Sequence, residues 1–166
     1  MRSDLLLRRK LTLRADGPVG PQKVVFVKKH QEGIEHVLMK AFLWALYLPA
    51  YPAMSVEVGV GDRYKPDLVQ LGPTGAPEFW GESGKVSASK IASLVRRYPS
   101  THFALAKWAV PLGPFVEIVE EAVAGRPRRA PFDLLRFPPG SRERFVSDDG
   151  TVTVAFEDLE RVTVGG

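Results

Sequence analysis

The stretch from Glu32 to Leu48 constrains this chain more than any other, because it is stable only as a helix enclosed by other elements. Ile34, Val37, Leu38, Ala41, Phe42, Ala45 and Leu48 recur there at helical spacing. Its first turns carry Glu35, His36 and Lys40, but beyond Lys40 it is apolar all round. A helix of that kind is covered on most sides. Pro49 and Pro52 stop it. The apolar run from Ala41 to Pro52 falls well short of the roughly 20 residues that span a bilayer. It therefore predicts a buried helix end and no membrane partner.

The rest of the chain supplies the cover. Asp4 to Ala15 alternates through Leu5, Leu7, Leu11 and Leu13, and Val24 to Lys28 is β-rich. The intervening Gly17-Pro18-Val19-Gly20-Pro21 reads as the turn of an opening hairpin. Beyond the helix, strands are expected at Met54 to Gly61, Tyr64 to Leu71 and Glu78 to Ser83, joined by turn-rich connections as an antiparallel meander. Ser87 to Tyr98 predicts a second helix, capped by Ser87 or Ser89 and buried through Ile91, Leu94, Val95 and Tyr98. His102 to Val110 then reads as a strand, and Gly113 to Ala124 as a third helix ended by Gly125. The tail from Phe132 reads as short strands, with a hairpin around Asp148-Asp149-Gly150. This order predicts an α/β (α+β) fold, a mixed β-sheet flanked by helices.

The 166 residues fit one domain, with a core at about 5–125 and a β-rich C-terminal extension at about 130–164. No cysteine is present, which removes disulfides, thiolate nucleophiles and Cys-based zinc sites. The N-terminus shows no charged start followed by an apolar run, so a cytoplasmic protein is expected. Net charge is +4, with basic clusters at Arg8-Arg9-Lys10, Lys28-Lys29, Arg96-Arg97 and Arg126 to Arg129. Such clusters attract phosphates or simply solvate strand edges and loops.

The chemistry concentrates between Tyr64 and Ser83. With the turn centred between Thr74 and Gly75, Asp67 and Glu82 become direct cross-strand partners, with Cβ atoms roughly 4.5–5.5 Å apart. Facing carboxylates repel unless one is protonated or a cation lies between them. A hard divalent ion such as Mg²⁺ or Mn²⁺ answers that need, and so does Lys65, Lys85 or Lys90. A turn centred between Asp62 and Arg63 sets Asp67 opposite Val58, which makes Glu57 solvent-facing. Glu35 near a helix start also has a purely structural use, against the helix dipole.

The residues His30, Glu35-His36-Val37-Leu38-Met39-Lys40 and Leu43-Trp44-Ala45-Leu46 are followed by Pro66-Asp67-Leu68, Trp80-Gly81-Glu82-Ser83-Gly84 and a helix bearing Lys90. This ordered set, across roughly residues 5–110, resembles the PD-(D/E)XK nuclease superfamily, and within it the YaeQ family. The resemblance implies a restriction-endonuclease-like core, with Asp67 and Glu82 as metal ligands and Glu35 completing the shell or orienting a water. It also implies Mg²⁺ or Mn²⁺ as cofactor and DNA or RNA as partner. The superfamily's lysine falls two residues after the acid, where this chain has Gly84. Lys90, or alternatively Lys85, is expected in its place, with Lys107 on the following strand.

Two functions follow. One is a metal-dependent nuclease; the other is a nuclease-fold module that binds nucleic acid or protein and has lost turnover. Ser83 and Ser87 offer hydroxyls to phosphate, although Ser87 also suits a helix cap. His30, His36 and His102 lack a metal-ligand spacing, and Trp44, Trp80 and Trp108 read as core.

Overall fold

The computed structural model describes residues 9–165, so the Asp4 to Arg8 part of the first predicted strand lies outside the described residues. Strands β1 (Lys10–Gly17) and β2 (Gly20–Val27) form the hairpin, with Gly17 paired to Gly20 across its turn. Helix α1 (Ile34–Tyr47) follows, then β3 (Ser55–Val56), β4 (Leu68–Leu71) and β5 (Pro77–Ser83). Helix α2 (Ala88–Arg97), β6 (His102–Trp108), α3 (Gly113–Val123) and β7 (Phe132–Phe137) come next. The short helix α4 (Ser141–Phe145), a 3₁₀ turn at Phe156–Asp158 and β8 (Glu160–Val164) end the chain.

Six strands make one sheet in the order β3-β4-β5-β6-β7-β8, while β1 and β2 form a sheet of their own. The meander β3-β4-β5 is antiparallel, β5-β6-β7 is parallel, and β8 returns antiparallel on β7. Successive parallel crossovers of one hand put both connecting helices on one face. Accordingly α2 and α3 enclose Trp80, Phe103, Leu105, Phe132 and Leu134. The opposite face packs Leu68, Phe79, Ala104, Ala106, Leu135 and Phe137 against α1 and the hairpin. The apolar helix is thus sandwiched between two β layers, which is why Val37 to Trp44 are all buried. Residues from Phe132 onward complete the same sheet through β7 and β8.

Three sequence expectations need correction. The predicted strands Met54 to Gly61 and Tyr64 to Leu71 shrink to Ser55–Val56 and Leu68–Leu71. Glu57 turns the chain out of the ladder with φ of 54°, and Pro66 has no N–H to donate. Ser55 pairs with Val69 and Val56 with Leu68, one residue away from the register expected from the Asp62–Arg63 turn. The hairpin around Asp148-Asp149-Gly150 contracts to a turn closed by Ser147 and Thr151 and one Val146–Val152 bridge.

The long connection before Asp67 is tied down by Asp62. Its carboxylate accepts from the Tyr64 N–H at 2.9 Å, from the Tyr98 hydroxyl at 2.5 Å and from both terminal nitrogens of Arg97. Chiefly the Arg97 hydrogen bond holds its carboxyl well below the usual carboxylate range. Asp62→Ala should cost about 1–3 kcal/mol, the scale of charged hydrogen bonds partly open to water, as read by urea denaturation. That loss should persist down to mildly acidic pH, because a depressed pKa keeps the contribution until pH falls through the folded value.

Candidate acidic site

The β4–β5 ladder pairs Leu68 with Gly81, Val69 with Trp80 and Gln70 with Phe79, and Asp67 and Glu82 are the next residues beyond its Leu68–Gly81 end. A shift between Gln70 and Leu71 lies on the turn side and leaves the site end in register. Asp67 is held through its backbone from both sides. Its N–H donates to Gly81 O at 3.1 Å, and its carbonyl accepts from Glu57 N at 2.8 Å. Its Oδ2 accepts from the Ser83 N–H at 2.9 Å and the Ser83 hydroxyl at 3.1 Å, and lies 3.8 Å from His36 Nε2.

Glu82 points to the α2 face. Its Oε1 accepts from the Trp80 indole N–H at 3.0 Å and lies 2.9 Å from Lys90 Nζ. Burial first, and then the charge of Asp67, push its carboxyl above the ordinary value despite the bonds from Lys90 and Trp80. Lys90 reaches this point because the Ser87 hydroxyl caps α2 by accepting from the Lys90 N–H at 3.1 Å, which puts Lys90 in the first helical turn. Ser87 is therefore a cap. Lys90 Nζ also lies 5.1 Å from the centre of the Tyr64 ring, to which Arg63 and Arg97 add cations.

The other predicted site residues lie apart from this pair. Glu35 is exposed on the first turn of α1, and Lys85 and Lys65 are exposed as well. The acid of this helix start that turns inward is Glu32. Its Oε2 is 2.5 Å from His36 Nδ1 and 2.8 Å from Lys40 Nζ, so it pairs with both cationic groups. Lys40 is 1% exposed and also meets Glu57 Oε1 at 2.7 Å. Glu57 is therefore not solvent-facing as expected. The one-residue register difference and its positive φ aim it at the buried lysine. Glu32, His36 and Lys40 recur every four residues, a helical-face spacing that was open to sequence reading. Glu57 carried no such signal.

Gly84 is built for glycine. Its φ is +82°, and a Cβ there would meet the His36 ring at 3.2 Å. A lysine at this position would be strained, and Lys107 instead donates to Gly84 O at 2.5 Å. Burial pulls the Lys107 ammonium below its ordinary value.

Among the described residues no three His, Asp or Glu side chains form a metal-binding group. Asp67 and Glu82 still fit a hard cation that takes few carboxylates and keeps several waters. Each has one oxygen, Asp67 Oδ1 and Glu82 Oε2, without a protein donor among the described residues. A cleft of about 590 Å³, bordered by Leu46, Tyr47, Val152 and Phe156, lies elsewhere, and the two acids do not line it.

The architecture is that of a single α+β domain whose mixed sheet carries an acidic pair on adjacent strands. Solved structures share the fold. The YaeQ protein of Pseudomonas syringae superposes with a TM-score of 0.64 at 15% identity, covering 95% of this chain and 94% of that one. The YaeQ protein of Xanthomonas axonopodis pv. citri gives 0.58 at 16% identity, covering 93% of each chain. The chain therefore has the YaeQ fold. No protein-family model and no curated protein matches the sequence. Among the described residues no helix is long and apolar enough to cross a membrane.

Proposed function

We propose that this protein is a YaeQ-family member of the PD-(D/E)XK superfamily and a metal-dependent nuclease hydrolysing phosphodiester bonds in DNA or RNA. What supports the reading most is Asp67 and Glu82 beyond the Leu68–Gly81 end of the β4–β5 ladder, near enough for the Asp67 charge to act on the Glu82 carboxyl, with Lys90 on Glu82. Asp67 and Glu82 would hold Mg²⁺ or Mn²⁺. When bound, such an ion lowers the pKa of water and neutralises charge on the phosphate.

The protein's own residues do the rest. Ser83 fixes Asp67 through two hydrogen bonds, and Trp80 fixes Glu82 through one. Lys90 supplies a positive charge for the phosphoryl oxygens, in the role that Gly84 cannot fill. Arg9, Lys28, Lys29 and His30 line a shallow cleft, and Lys29 Nζ lies 3.9 Å from Glu57 Oε1. This basic surface beside the site supports binding of a polyanion without sequence specificity.

The test is cleavage of single-stranded, duplex and branched DNA and of RNA with Mg²⁺ or Mn²⁺, wild type beside Asp67→Ala. The expected result is metal-dependent cleavage that falls by about 10²–10³-fold in the variant, the scale for losing one group that stabilises developing charge. Equal inactivity of both proteins on every substrate, with no measurable metal binding, would overturn the reading. A second reading is a module that binds nucleic acid or protein without turnover. It draws on the Lys90–Glu82 pair, which already neutralises Glu82 with no metal. Retention of nucleic acid by wild type and Asp67→Ala alike, without cleavage, would favour it.

A further inference from the structure

We propose that the cleft of about 590 Å³ between the end of α1 and segment 151–157 binds a small carboxylate with an apolar body, its head held by Arg161. The cleft is separate from the acidic pair, so this site does not depend on the metal-dependent reading. Its size, its inner wall and the residue at its rim carry the assignment.

Sites for small molecules measure about 300–1,000 Å³, and the cleft falls within that span. Its apolar walls come from Ala15 of β1, Ala45 and Leu46 of α1, Ala50 just beyond that helix, and Val152 and Val154. Tyr47 and His102 also line it, but their polar atoms are already engaged. The Tyr47 hydroxyl donates to Asp133 at 2.6 Å. Both ring nitrogens of His102 are taken, by Asp133 at 2.7 Å and by the Tyr51 hydroxyl at 2.9 Å. What Tyr47, His102 and Phe156 present is therefore ring surface, with Tyr47 meeting each of the other two rings edge-on at 5.3 Å. A ligand body with hydrogen bonds to make would leave them unmade against these rings, which selects an apolar one.

Arg161 selects the head group. Its guanidinium carbon lies 4.0 Å from the centre of the Phe156 ring, and its charge acts on the nearby Tyr47 phenol. A guanidinium laid over a ring keeps its N–H donors in its own plane, and that planar fork takes a carboxylate bidentately. Arg161 is exposed, and among the described residues no ion pair uses it. Asp16 and Glu157 border the same cleft, but both are exposed and water and salt screen them. The cation over Phe156 is thus the charge that a ligand in the cleft meets beside the rings.

Isothermal titration calorimetry with octanoate, 1-octanol and octylammonium compares one tail under different heads. Wild type should bind octanoate saturably and about tenfold or more tightly than 1-octanol, the scale of one charge-assisted hydrogen bond. Arg161→Met keeps an apolar stem over Phe156 and should erase that preference while leaving 1-octanol binding unchanged. Ala50→Phe, at an exposed position on the cleft, should weaken both ligands. Urea denaturation of each variant confirms that it is folded. Lack of saturable octanoate binding by wild type would overturn the proposal, as would octanoate binding that Ala50→Phe leaves unchanged. A preference for octanoate that survives in Arg161→Met would remove Arg161 from the site. Tighter binding of octylammonium than of octanoate would show that Asp16 and Glu157 set the charge, and the carboxylate assignment would fall.

Discussion

Lys40→Ala is expected to destabilise the protein by about 3–5 kcal/mol, the cost of leaving a buried charge without its partner. Lys40 is 1% exposed and bridges Glu32, itself 6% exposed, to Glu57. Burial alone would lower the lysine's pKa, but the bonds from Glu32 and Glu57 outweigh it and leave the ammonium above its ordinary value. On Glu32 burial acts upward, and the Lys29 N–H together with Lys40 and His36 outweighs it, so this carboxyl lies below its ordinary value. The signs then set the pH profile. Stability from a depressed acid is present above its unfolded pKa, about 4.3, and is lost as pH falls through the folded value. Stability from a raised lysine is present below its unfolded pKa, about 10.4, and is lost as pH rises through the folded value. The penalty of Lys40→Ala should therefore be flat between those limits and shrink in acid, as followed by urea denaturation at pH 7 and pH 3. Combining Lys40→Met with Glu32→Gln should recover part of the loss. Strict additivity of the two would show that the residues do not act as a unit.

Asp133→Ala should cost a similar amount, about 3–5 kcal/mol, for a different set of partners. Asp133 is 2% exposed on β7 and accepts from the Tyr47 hydroxyl at 2.6 Å, from His102 Nε2 at 2.7 Å and from the Thr163 hydroxyl at 2.7 Å. The other ring nitrogen of His102 lies 2.9 Å from the Tyr51 hydroxyl. These contacts tie the end of α1 to β6, β7 and β8. Burial would raise the Asp133 pKa, yet the bonds from His102, Tyr47 and Thr163 hold it below the ordinary carboxylate value. Burial, and then the Asp133 charge, push the Tyr47 phenol up, so it remains a donor. The contribution of Asp133 is thus present above about pH 3.9 and is lost as pH falls through the lower folded value. Asp133→Asn, of nearly the same shape, should cost less than Ala and flatten this acid limb. A thermal melt series from pH 7 to pH 3 reads both effects, and an unchanged acid limb in Asn would refute the assignment to Asp133.

Much of the site end was legible because it is local. Pro73, Thr74, Gly75 and Ala76 make a short turn, and a short turn sets the register on either side of it. Beside that turn Leu71 pairs with Pro77, and the shift between Gln70 and Leu71 then brings Leu68 opposite Gly81, the register expected from the sequence; the paired residues end there. The cap at Ser87 was legible for the same reason, since a serine before an apolar-periodic run satisfies backbone N–H groups within its own turn. Glu57 was misread because its turn is not governed locally. Asp62, centre of the expected turn, is instead held by Arg97 and Tyr98 from α2, more than thirty residues away. The β3–β4 register lies one residue from the one expected, and one residue exchanges the faces of a strand.

The sequence by itself determined the order of the main elements and the enclosed α1 helix, because each follows from spacing within a few turns or across one hairpin. The tertiary structure decided which charges meet. Lys40 lies between Glu32 and Glu57, Lys90 on Glu82, His102 and Tyr47 on Asp133, and Glu35 and Lys85 lie outside these clusters. Coulomb energy depends on distance and burial in three dimensions, and neither is carried by the spacing of residues along a chain.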